Sequence, residues 1–407
     1  MTDTVSAQPT AAAAPVVIIG GGFGGLYTAL ALAEQRQHPP ILLIEPRDRF
    51  LFLPLLYELL SGELRSWEVA PRYDTLLAGK GVAWLQDRVD RIDATSRTVH
   101  TRGGRQLRFS QLVIACGATT AHFGIPGVAE HALGFRTLAE VERLQKLVQQ
   151  LRQNQRPLQR LVVVGAGASG VELACKLADL LAGTSTTIEL LEQGSQLLPQ
   201  ARAFNREQAE RALRQRDVRL RTNTKVAAVS SDTLDVVGPG GREQLSASGV
   251  IWTAGLRFEP PLIEPAPPRD SRGRLLCEPS LRLEGQHQLF AIGDIAAVTG
   301  NAHDSQETGS PEQPSLPLNA QVAFQQASCL ARNLLVARSG GPLEPFRYRD
   351  LGEMMSLGVG EASLTGGGFT LAGPAAFQLR KLAYLTRLPG RSHQVRVAAG
   401  WLANLPG

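Results

Sequence analysis

The chain has 407 residues, of which 43% are hydrophobic and 19% charged, so it is long enough for two or three globular domains. The net charge is +5, but aromatic residues make up only 5% and no nucleic-acid-reading motif is present, so we expect no nucleic-acid partner. The four cysteines and seven histidines are scattered without the spacing of metal ligands, and we expect no metal site.

Membrane insertion and secretion are not predicted. Residues 1–15 lack the basic and leucine-rich regions of a signal peptide, and we expect a short disordered leader there. The longest charge-free runs are interrupted by glycine, proline and polar residues, which excludes a transmembrane helix.

The first predicted strand, residues 16–19, is a continuous apolar run that ends in glycines, as expected of a parallel strand buried on both faces. A helix from about residue 24 to 36 and a second strand at residues 41–44 complete a βαβ unit. These elements predict an α/β fold.

The turn between the first strand and its helix has the pattern G-x-G-x-x-G, with Gly20, Gly22 and Gly25 at the glycine positions. The first glycine permits the tight turn, the second lets a pyrophosphate approach the backbone, and the third lets helix and strand pack closely. Glu45 follows twenty residues after Gly25, where a carboxylate can bind ribose hydroxyls. The pattern therefore predicts a dinucleotide site.

Further along the chain, residues 112–115 form another short apolar strand. Thr137 and Glu140 have the spacing of a capping box and predict the start of a helix. The strand at residues 161–164 then opens a second copy of the first pattern, 145 residues after the first copy. An internal repeat of a whole nucleotide-binding unit is a stronger signal than either copy alone.

The second turn contains Gly165, Gly167 and Gly170, and its acidic residue is Glu192. A carboxylate at this position accepts hydrogen bonds from a 2′-hydroxyl and repels a 2′-phosphate, which favours NADH over NADPH. The downstream Arg211, Arg214 and Arg216 are candidates for restoring phosphate binding, although a solvated helix face explains them more simply.

A third strand-and-turn element, residues 290–294, ends in Gly293 and Asp294. Taken alone, a Gly-Asp pair is a common turn. Together with the two glycine-rich turns, it resembles the two-Rossmann flavoprotein reductases, in which FAD occupies the N-terminal domain and NAD(P)H an inserted one. Residues 114–117 and 252–255 match the remaining signature turns of that family. The resemblance implies that Asp294 contacts the ribityl or pyrophosphate part of FAD.

Within these reductases the sequence is most similar to the type II NADH:quinone oxidoreductases. Residues 52–57 match their segment beside the flavin, and residues 320–326 match the AQxAxQQ motif that lines their quinone pocket. Residues 170–174 match the stretch whose glutamate, here Glu172, lies near the nicotinamide. Further stretches resemble the cyanobacterial and plastid branch linked to demethylphylloquinone reduction. Cys116 and Asn319 depart from the family at positions where threonine is common, and the loop at residues 301–315 is longer than usual.

The resemblance implies a glutathione-reductase-like fold with two Rossmann-like dinucleotide-binding domains and a C-terminal membrane-associating segment. Residues 15–125 and 285–345 would form a discontinuous FAD-binding domain, residues 126–284 an inserted NAD(P)H-binding domain, and residues 346–407 the membrane segment. The implied cofactor-binding residues are Gly20, Gly22, Phe23, Gly24, Gly25, Glu45, Pro54, Ala115, Gly117, Gly165, Gly167, Gly170, Glu192, Gly255, Gly293, Asp294 and Ala320.

Three residues are candidates for a direct part in the reaction. Glu172 would position the nicotinamide or supply protons, and Gln321 and Gln325 would orient the quinone. The two glutamines are four residues apart and therefore share one face of a helix. A polar, partly exposed helix face is the alternative explanation for them.

Residues 362–407 contain no aspartate or glutamate. Basic and apolar residues alternate along this tail, as in a helix that lies on a membrane surface. A dimerisation helix or a helix that caps the core is the alternative. The basic residues are Arg380, Lys381, Arg387, Arg391 and Arg396, and the apolar ones include Leu379, Leu382, Tyr384, Leu385, Leu388, Trp401 and Leu402.

The sequence thus predicts an FAD-dependent oxidoreductase that passes electrons from NAD(P)H to a membrane quinone, a naphthoquinone such as demethylphylloquinone or a plastoquinone. It would lie on the cytoplasmic face of a thylakoid or plasma membrane, and a homodimer is compatible with the resemblance. Sulfide:quinone oxidoreductase and ferredoxin- or rubredoxin-type reductase remain alternatives. A disulfide reductase is disfavoured because residues 45–71 contain no cysteine.

Overall fold

The computed structural model describes residues 14–154, 159–299 and 316–403. Residues 1–13 of the predicted leader and the loop predicted at residues 301–315 lie outside these ranges. Among the described residues, no helix is both long and apolar enough to cross a bilayer.

Eleven α-helices are assigned in the described ranges. They are α1 (Phe23–Ala33), α2 (Leu56–Leu60), α3 (Ser66–Val69), α4 (Tyr73–Leu77), α5 (Val128–His131), α6 (Leu138–Gln153), α7 (Ala168–Leu180), α8 (Ala203–Gln215), α9 (Ala320–Arg338), α10 (Pro374–Leu385) and α11 (Arg391–Ala403).

The strands of the described ranges are short, and most belong to parallel sheets or to small antiparallel ones. They are β1 (Val16–Ile19), β2 (Ile41–Ile44), β3 (Val82–Leu85), β4 (Val89–Asp93), β5 (Thr98–Thr101), β6 (Gln106–Arg108), β7 (Gln111–Ile114), β8 (Thr119–Thr120), β9 (Ala132–Leu133), β10 (Arg160–Val164), β11 (Thr187–Leu191), β12 (Arg219–Arg221), β13 (Lys225–Val229), β14 (Thr233–Gly238), β15 (Gly241–Ser246), β16 (Gly249–Trp252), β17 (Leu256–Arg257), β18 (Leu262–Glu264), β19 (Leu275–Cys277), β20 (Leu289–Ala291), β21 (Ala296–Val298), β22 (Glu353–Ser356), β23 (Ala362–Gly366) and β24 (Phe369–Gly373).

The chain divides into two compact units. Unit 1 takes its described residues from Met1–Phe50, Tyr73–Ala118 and Phe258–Tyr348. Unit 2 takes them from Leu51–Arg72, Thr119–Arg257 and Arg349–Gly407. The tail therefore clusters with the segment that contains the second glycine-rich turn. The assignment of an FAD domain and an NAD(P)H domain to particular residue ranges stays a prediction.

Unit 1 is built on a five-stranded parallel sheet with the order β20-β7-β1-β2-β3. Every residue of β1 and β7 is buried, which explains their uninterrupted apolar sequence. The chain leaves β1 toward β2 on one side and reaches β7 on the other, so a crevice opens at the carboxyl ends of β1 and β7, where doubly wound sheets bind ligands.

Unit 2 repeats this arrangement with a second parallel sheet, ordered β12-β11-β10-β16-β9. The antiparallel sheet β13-β14-β15 shares a hydrophobic cluster with it, which contains Val164, Leu191, Val236 and Trp252. A third sheet, β22-β23-β24, packs its apolar face on α10 through Ala362, Leu364, Ala376 and Phe377. The tail is thus folded, with a small core of its own inside unit 2.

The capping box predicted for α6 is confirmed. The Thr137 side chain accepts a hydrogen bond from the Glu140 amide at 3.2 Å, and the Glu140 carboxylate accepts one from the Thr137 amide at 2.8 Å. This reciprocal pair satisfies two backbone donors that the first turn of a helix leaves without partners. It fixes where α6 begins.

Candidate functional site

The first glycine-rich turn has the geometry that a dinucleotide requires. Gly20 has a φ of +96°, and a Cβ there would lie 2.5 Å from the Ala115 carbonyl oxygen. A Cβ on Gly25 would lie 1.8 Å from the carbonyl oxygen of Gly20, whereas one on Gly22 would meet no protein atom within 4 Å. Gly20 and Gly25 are therefore required by close contacts with the backbone, whereas Gly22 leaves space in front of the α1 N-terminus.

The second turn reproduces these features in unit 2. Gly165 has a φ of +101°, and a Cβ on Gly170 would again lie 1.8 Å from the carbonyl oxygen of the first glycine. A Cβ on Gly167 would meet nothing within 4 Å. Since the open position is the middle glycine in both copies, both turns fit a pyrophosphate held on helix amides.

Both acidic residues bind the backbone of their own turn. Glu45 Oε2 accepts from the Gly21 amide at 2.6 Å, and Glu192 Oε2 accepts from the Ala166 amide at 2.8 Å. Each carboxylate is thereby held at the end of the neighbouring strand, beside the space at the middle glycine. This is the position from which a ribose hydroxyl can be bound.

The two carboxylates differ in their surroundings. Glu45 is buried and is gripped by Arg47, whose Nε lies 2.7 Å from Oε1 and whose Nη2 lies 3.1 Å from Oε2. Burial raises the pKa of Glu45, but the hydrogen bonds and charge of Arg47 outweigh it and hold this pKa below its usual range. Glu192 is less buried, and its Oε1 accepts from the Gly194 amide at 2.7 Å.

Three motifs that are distant in sequence meet at one edge of the unit 1 sheet. Gly20 follows β1, Ala115 follows β7, and Gly293 follows β20 after one residue, and these three strands are neighbours. Gly293 and Asp294 open a short 3-10 turn, Gly293–Ile295. The structure therefore brings Gly20, Ala115 and Asp294 to the same crevice, as a single dinucleotide site requires.

Tyr73 supports the glycine-rich turn of this crevice, and no sequence pattern predicted its role. Its buried hydroxyl donates to the Gly21 carbonyl oxygen at 2.8 Å. The ring of Trp84 lies 5.5 Å from that of Tyr73, and its Nε1 donates to the Glu45 carbonyl oxygen at 3.3 Å. Two aromatic residues thus hold the backbone on which the glycine turn and its carboxylate depend.

The glutamine motif lies on the first two turns of α9, which begins with Asn319 as its N-cap. The Asn319 side chain accepts from the Val322 amide at 2.9 Å, so the replacement of a threonine keeps a good cap. Gln321 and Gln325 are both partly exposed, as expected for a shared face. The Tyr348 hydroxyl donates to Gln321 Oε1 at 2.9 Å and fixes the orientation of that amide.

In unit 2, Glu172 on α7 belongs to a buried cluster of charges. Arg380 of α10 is fully buried and donates to Glu58 Oε1 at 2.5 Å and to the Pro54 carbonyl oxygen at 2.7 Å. Its Nη2 lies 3.9 Å from Glu172 Oε1, which accepts from the Ser356 amide at 2.7 Å. One cation therefore faces two carboxylates, and burial of the extra negative charge is unfavourable.

Burial in this cluster changes the protonation of Glu172. Burial raises the pKa of Glu172 from 4.5 to about 7, although Arg380 and the Ser356 amide act in the opposite direction. Burial also raises the pKa of Tyr57, and the charge of Glu172 adds to this effect. Glu172 is therefore a carboxyl group that gains and loses a proton near neutral pH, which is the property of a general acid or base.

A second buried ion pair lies one helical turn along α7. Lys176 is fully buried and pairs with Glu63, whose Oε1 accepts from the Gly360 amide at 3.0 Å. The segment with Glu58 and Glu63 is thereby fastened to α7 and to the tail. Sequence reasoning missed Glu58, Glu63 and Lys176, because neither burial nor pairing follows from their spacing.

The structure corrects the expected surroundings of Arg216 and Arg380, and it gives Trp401 a hydrogen-bond partner within the chain. Arg216 pairs with Asp179 at 2.7 Å and with Glu361 at 3.0 Å, which leaves it committed to packing α8 on the tail instead of to a phosphate. Arg380 points into the core and not toward a membrane. Trp401 donates to Glu68 Oε1 at 2.8 Å and is only partly exposed.

The comparisons with known proteins agree with this geometry. The family model described as pyridine nucleotide-disulphide oxidoreductase matches residues 14–327. The demethylphylloquinone reductase NdbB of Synechocystis sp. is 38% identical over 395 residues, which cover 95% of each chain. The alternative NAD(P)H-ubiquinone oxidoreductase C1 of Arabidopsis thaliana is 34% identical over 95% of this chain and 80% of that one. The resemblance inferred from the sequence is confirmed.

Solved structures support the fold. NDH2 of Plasmodium falciparum, solved in complex with NADH, aligns with a TM-score of 0.81 at 18% identity, over 94% of this chain and 96% of that one. The sulfide:quinone oxidoreductase of Aquifex aeolicus aligns with a TM-score of 0.73 at 19% identity, over 91% and 89% of the chains. The mixed α/β fold predicted from the sequence is confirmed.

The glycine turn predicts opposite outcomes for two neighbouring substitutions. Gly22→Ala should leave the free energy of unfolding within about 0.5 kcal/mol of the original, because its Cβ meets no protein atom. It should weaken FAD binding at least about tenfold, because the new methyl group enters the space that the sequence pattern predicts for the pyrophosphate. Gly25→Ala should destabilise unit 1 by about 2–3 kcal/mol, because its Cβ collides with the Gly20 carbonyl. Urea unfolding and FAD titration distinguish the two, and full FAD affinity in Gly22→Ala would contradict the assignment.

Proposed function

Because the chain belongs to the pyridine nucleotide-disulphide oxidoreductase family, we propose that it is an FAD-dependent enzyme that transfers electrons from NAD(P)H to a membrane quinone. The observation that carries the proposal is the duplicated turn, in which an open middle glycine lies beside a backbone-bound carboxylate in each unit. Two relatives that align over 95% of this chain are named as a demethylphylloquinone reductase and an NAD(P)H-ubiquinone oxidoreductase.

The turn of unit 1 is proposed to hold FAD. Gly22 and the α1 amides would receive the pyrophosphate, Glu45 the adenine ribose, and Asp294 the ribityl or pyrophosphate part. FAD, when bound, accepts two electrons from NAD(P)H and passes them to the quinone. The protein would bind and orient FAD, NAD(P)H and the quinone, and its side chains would donate or accept protons.

The turn of unit 2 is proposed to hold the nicotinamide cofactor, with NADH preferred over NADPH. Glu192 would accept from the ribose 2′-hydroxyl, and its charge would repel a 2′-phosphate. Among the arginines considered for rescue of phosphate binding, Arg216 pairs with Asp179 and Arg214 lies 3.7 Å from Glu210. Their charges are thus already balanced by carboxylates of their own surroundings.

The face of α9 with Gln321 and Gln325 is proposed to orient the quinone. An amide group can donate to a carbonyl oxygen, and Tyr348 holds the Gln321 amide in one orientation. The name of the 38% identical relative favours a naphthoquinone of the demethylphylloquinone type, and plastoquinone is the other candidate.

Glu172 is proposed to exchange a proton during the reaction. Reduction of a quinone to a quinol consumes two protons, and a carboxyl group with a pKa of about 7 can supply one at neutral pH. Arg380 and Glu58 would set this pKa through their opposing charges. NADH brings one hydrogen of the quinol as hydride, so one proton must come from elsewhere, and Glu172 would supply it.

A sulfide:quinone oxidoreductase is the second candidate, and the cysteines argue against it. Such chemistry needs two cooperating thiols. Cys175, Cys277 and Cys329 are buried, and burial raises the pKa of each thiol, which suppresses the reactive thiolate. Only Cys116 is exposed among the four.

The function is tested by stopped-flow absorbance of the purified holoprotein. Anaerobic NADH should bleach the flavin absorbance, and a naphthoquinone added afterwards should restore it. Gln321→Ala should leave the bleaching rate unchanged and slow the recovery about tenfold or more, because it removes one hydrogen bond to the quinone. Bleaching without recovery by any quinone would reject a quinone as the electron acceptor, but it would be consistent with the proposed FAD and NADH sites.

The Glu172 assignment predicts a pH dependence. If Glu172 donates a proton, the rate of quinone reduction should fall as the pH rises through about 7, and Glu172→Gln should lower the rate and abolish this limb. Glu58→Gln should shift the midpoint down by about one unit, because it removes a negative charge and leaves Arg380 to Glu172. The measurement is the quinone-dependent reoxidation rate from pH 5 to 9, and an unshifted midpoint in Glu58→Gln would contradict the role of the cluster.

The same pKa has a consequence for stability. Because Glu172 binds its proton more tightly in the folded protein, at a pKa of about 7, than at its ordinary value of 4.5, this group favours folding at acid pH. Its contribution is complete below about 4.5 and is lost as the pH rises to about 7. The Glu172→Gln control should lack this component of the pH dependence.

We further propose that α10 and α11 attach the enzyme to a membrane surface. The outward face of these helices, here called the tail face, consists of Leu379, Leu382, Val395 and Leu402, with exposed fractions of 39–70%. The inward face is closed by Phe377, His393 and Val397, which are buried. Exposed apolar residues in a segment with basic residues and no acidic ones are typical of a helix at a lipid interface. The cytoplasmic face of a thylakoid or plasma membrane is the proposed location.

The tail face predicts binding to vesicles that contain anionic lipid. The triple substitution of Leu382, Val395 and Leu402 by serine should weaken binding to phosphatidylglycerol vesicles about 100-fold, since each buried aliphatic side chain contributes about 1 kcal/mol or more. The triple substitution of Val237, Leu262 and Val359 by serine should leave binding unchanged, because these exposed residues lie outside α10 and α11. Co-sedimentation measures both, and equal binding of the two variants would rule out the tail face.

A further inference from the structure

The glutamine motif of α9 contains a third amide whose position differs from that of the other two. Gln326 is 1% exposed, whereas Gln321 and Gln325 are partly exposed. The Gln326 Oε1 atom accepts a hydrogen bond from the backbone amide of Gly293 at 2.7 Å, across 33 residues of sequence. One motif therefore presents two amides outward and commits the third to the Gly-Asp turn.

The Gly293 amide needs such a partner because of where it lies. The amide of the preceding residue, Ile292, still donates to the Ile114 carbonyl oxygen at 3.1 Å and so continues the sheet. Gly293, with a φ of +72°, turns out of the sheet into the 3-10 turn that contains Asp294. A backbone donor without a partner at this partly buried position would be costly, and the Gln326 side chain removes that cost.

The position of Asp294 depends on this bond. Gly293 directly precedes Asp294, and its glycine backbone has no side chain that would restrict rotation. The Gln326 hydrogen bond fixes the peptide plane between Ile292 and Gly293, and thereby the direction in which the next residue leaves the sheet. The turn at Gly293 is thus held by a hydrogen bond from α9 in addition to the strand that precedes it.

We infer that Gln326 is a positioning residue that sets Asp294 for FAD, so that α9 determines flavin binding as well as the orientation of the quinone. This inference rests on the proposed function, in which Asp294 contacts FAD. It also separates the glutamines of the motif into two roles, with Gln321 and Gln325 toward the quinone and Gln326 toward the flavin.

The alternative is that Gln326 only stabilises the packing of α9, and the helix offers a matched control for this. Asn333 is a second buried amide on α9. It donates to the carbonyl oxygens of Ser280 and Glu344 at 3.0 and 2.8 Å, and its Oδ1 accepts from the Glu344 amide at 2.9 Å. Loss of this amide disturbs the same helix without touching the Gly293 turn.

The experiment compares Gln326→Met with Asn333→Leu as purified holoproteins. Both should lower the midpoint of urea unfolding. Gln326→Met should in addition raise the dissociation constant for FAD about tenfold and change the visible circular dichroism of the bound flavin, whereas Asn333→Leu should keep both within about twofold. Gln326→Glu, which keeps an oxygen atom at the same distance from Gly293, should recover most of the affinity.

Two results would overturn the inference: wild-type FAD affinity in Gln326→Met, or an equal loss of affinity in Asn333→Leu. Either leaves the proposed function intact as long as the wild-type flavin is bleached by NADH. A wild-type protein that binds no FAD would reject the proposed function, and the inference with it.

Discussion

Each glycine-rich turn depends on one hydrogen bond from a backbone amide to a side-chain carboxylate, and each unit has its own copy of this bond. The strand ends at a glycine, and the amide that follows has left the sheet without yet joining the helix, so it requires an acceptor. The acceptor is the carboxylate at the end of the neighbouring strand, Glu45 for the Gly21 amide and Glu192 for the Ala166 amide. The turn therefore requires both the acidic residue and the neighbouring strand that carries it. Because unit 2 repeats this arrangement, the same spacing recurs 145 residues later.

The charges buried in unit 2 follow a different logic. A buried ion pair contributes little net stability, because the loss of hydration offsets most of the attraction. Arg380, Glu58 and Glu172 are better explained by their effect on the protonation of Glu172, because burial favours its neutral form and the negative charge of Glu58 acts in the same direction. The pKa of Glu172 is therefore raised by burial, although the Arg380 guanidinium acts in the opposite direction.

Much of this architecture could be predicted from the sequence, because it is encoded locally. The apolar runs and glycine turns placed β1, β2 and β10 within a residue of their observed bounds, and the capping box located the start of α6. The direction of Arg380 could not be predicted. Its periodicity suits an exposed amphipathic helix, and only the approach of Glu58, 322 residues earlier, turns it inward. The contact of Gln326 with Gly293 could not be predicted either, because a hydrogen bond to the backbone of a distant turn produces no pattern in the local sequence.

These contacts change what the tail can be. Arg380 of the tail is the cation that faces Glu58 and Glu172. In addition, the tail residue Glu361 forms an ion pair with Arg216, and Trp401 donates a hydrogen bond to Glu68. Deletion of the tail would leave carboxylates buried without a counter-charge, at a cost of about 3–5 kcal/mol for a broken pair. Loss of activity in a truncated protein would therefore say nothing about a membrane, because the buried Glu58 and Glu172 carboxylates would lose their cation at the same time. Only substitutions on the outward residues, such as Leu382 and Val395, separate attachment from chemistry. The tail is therefore a folded part of unit 2, and its buried side and its outward side can be tested separately.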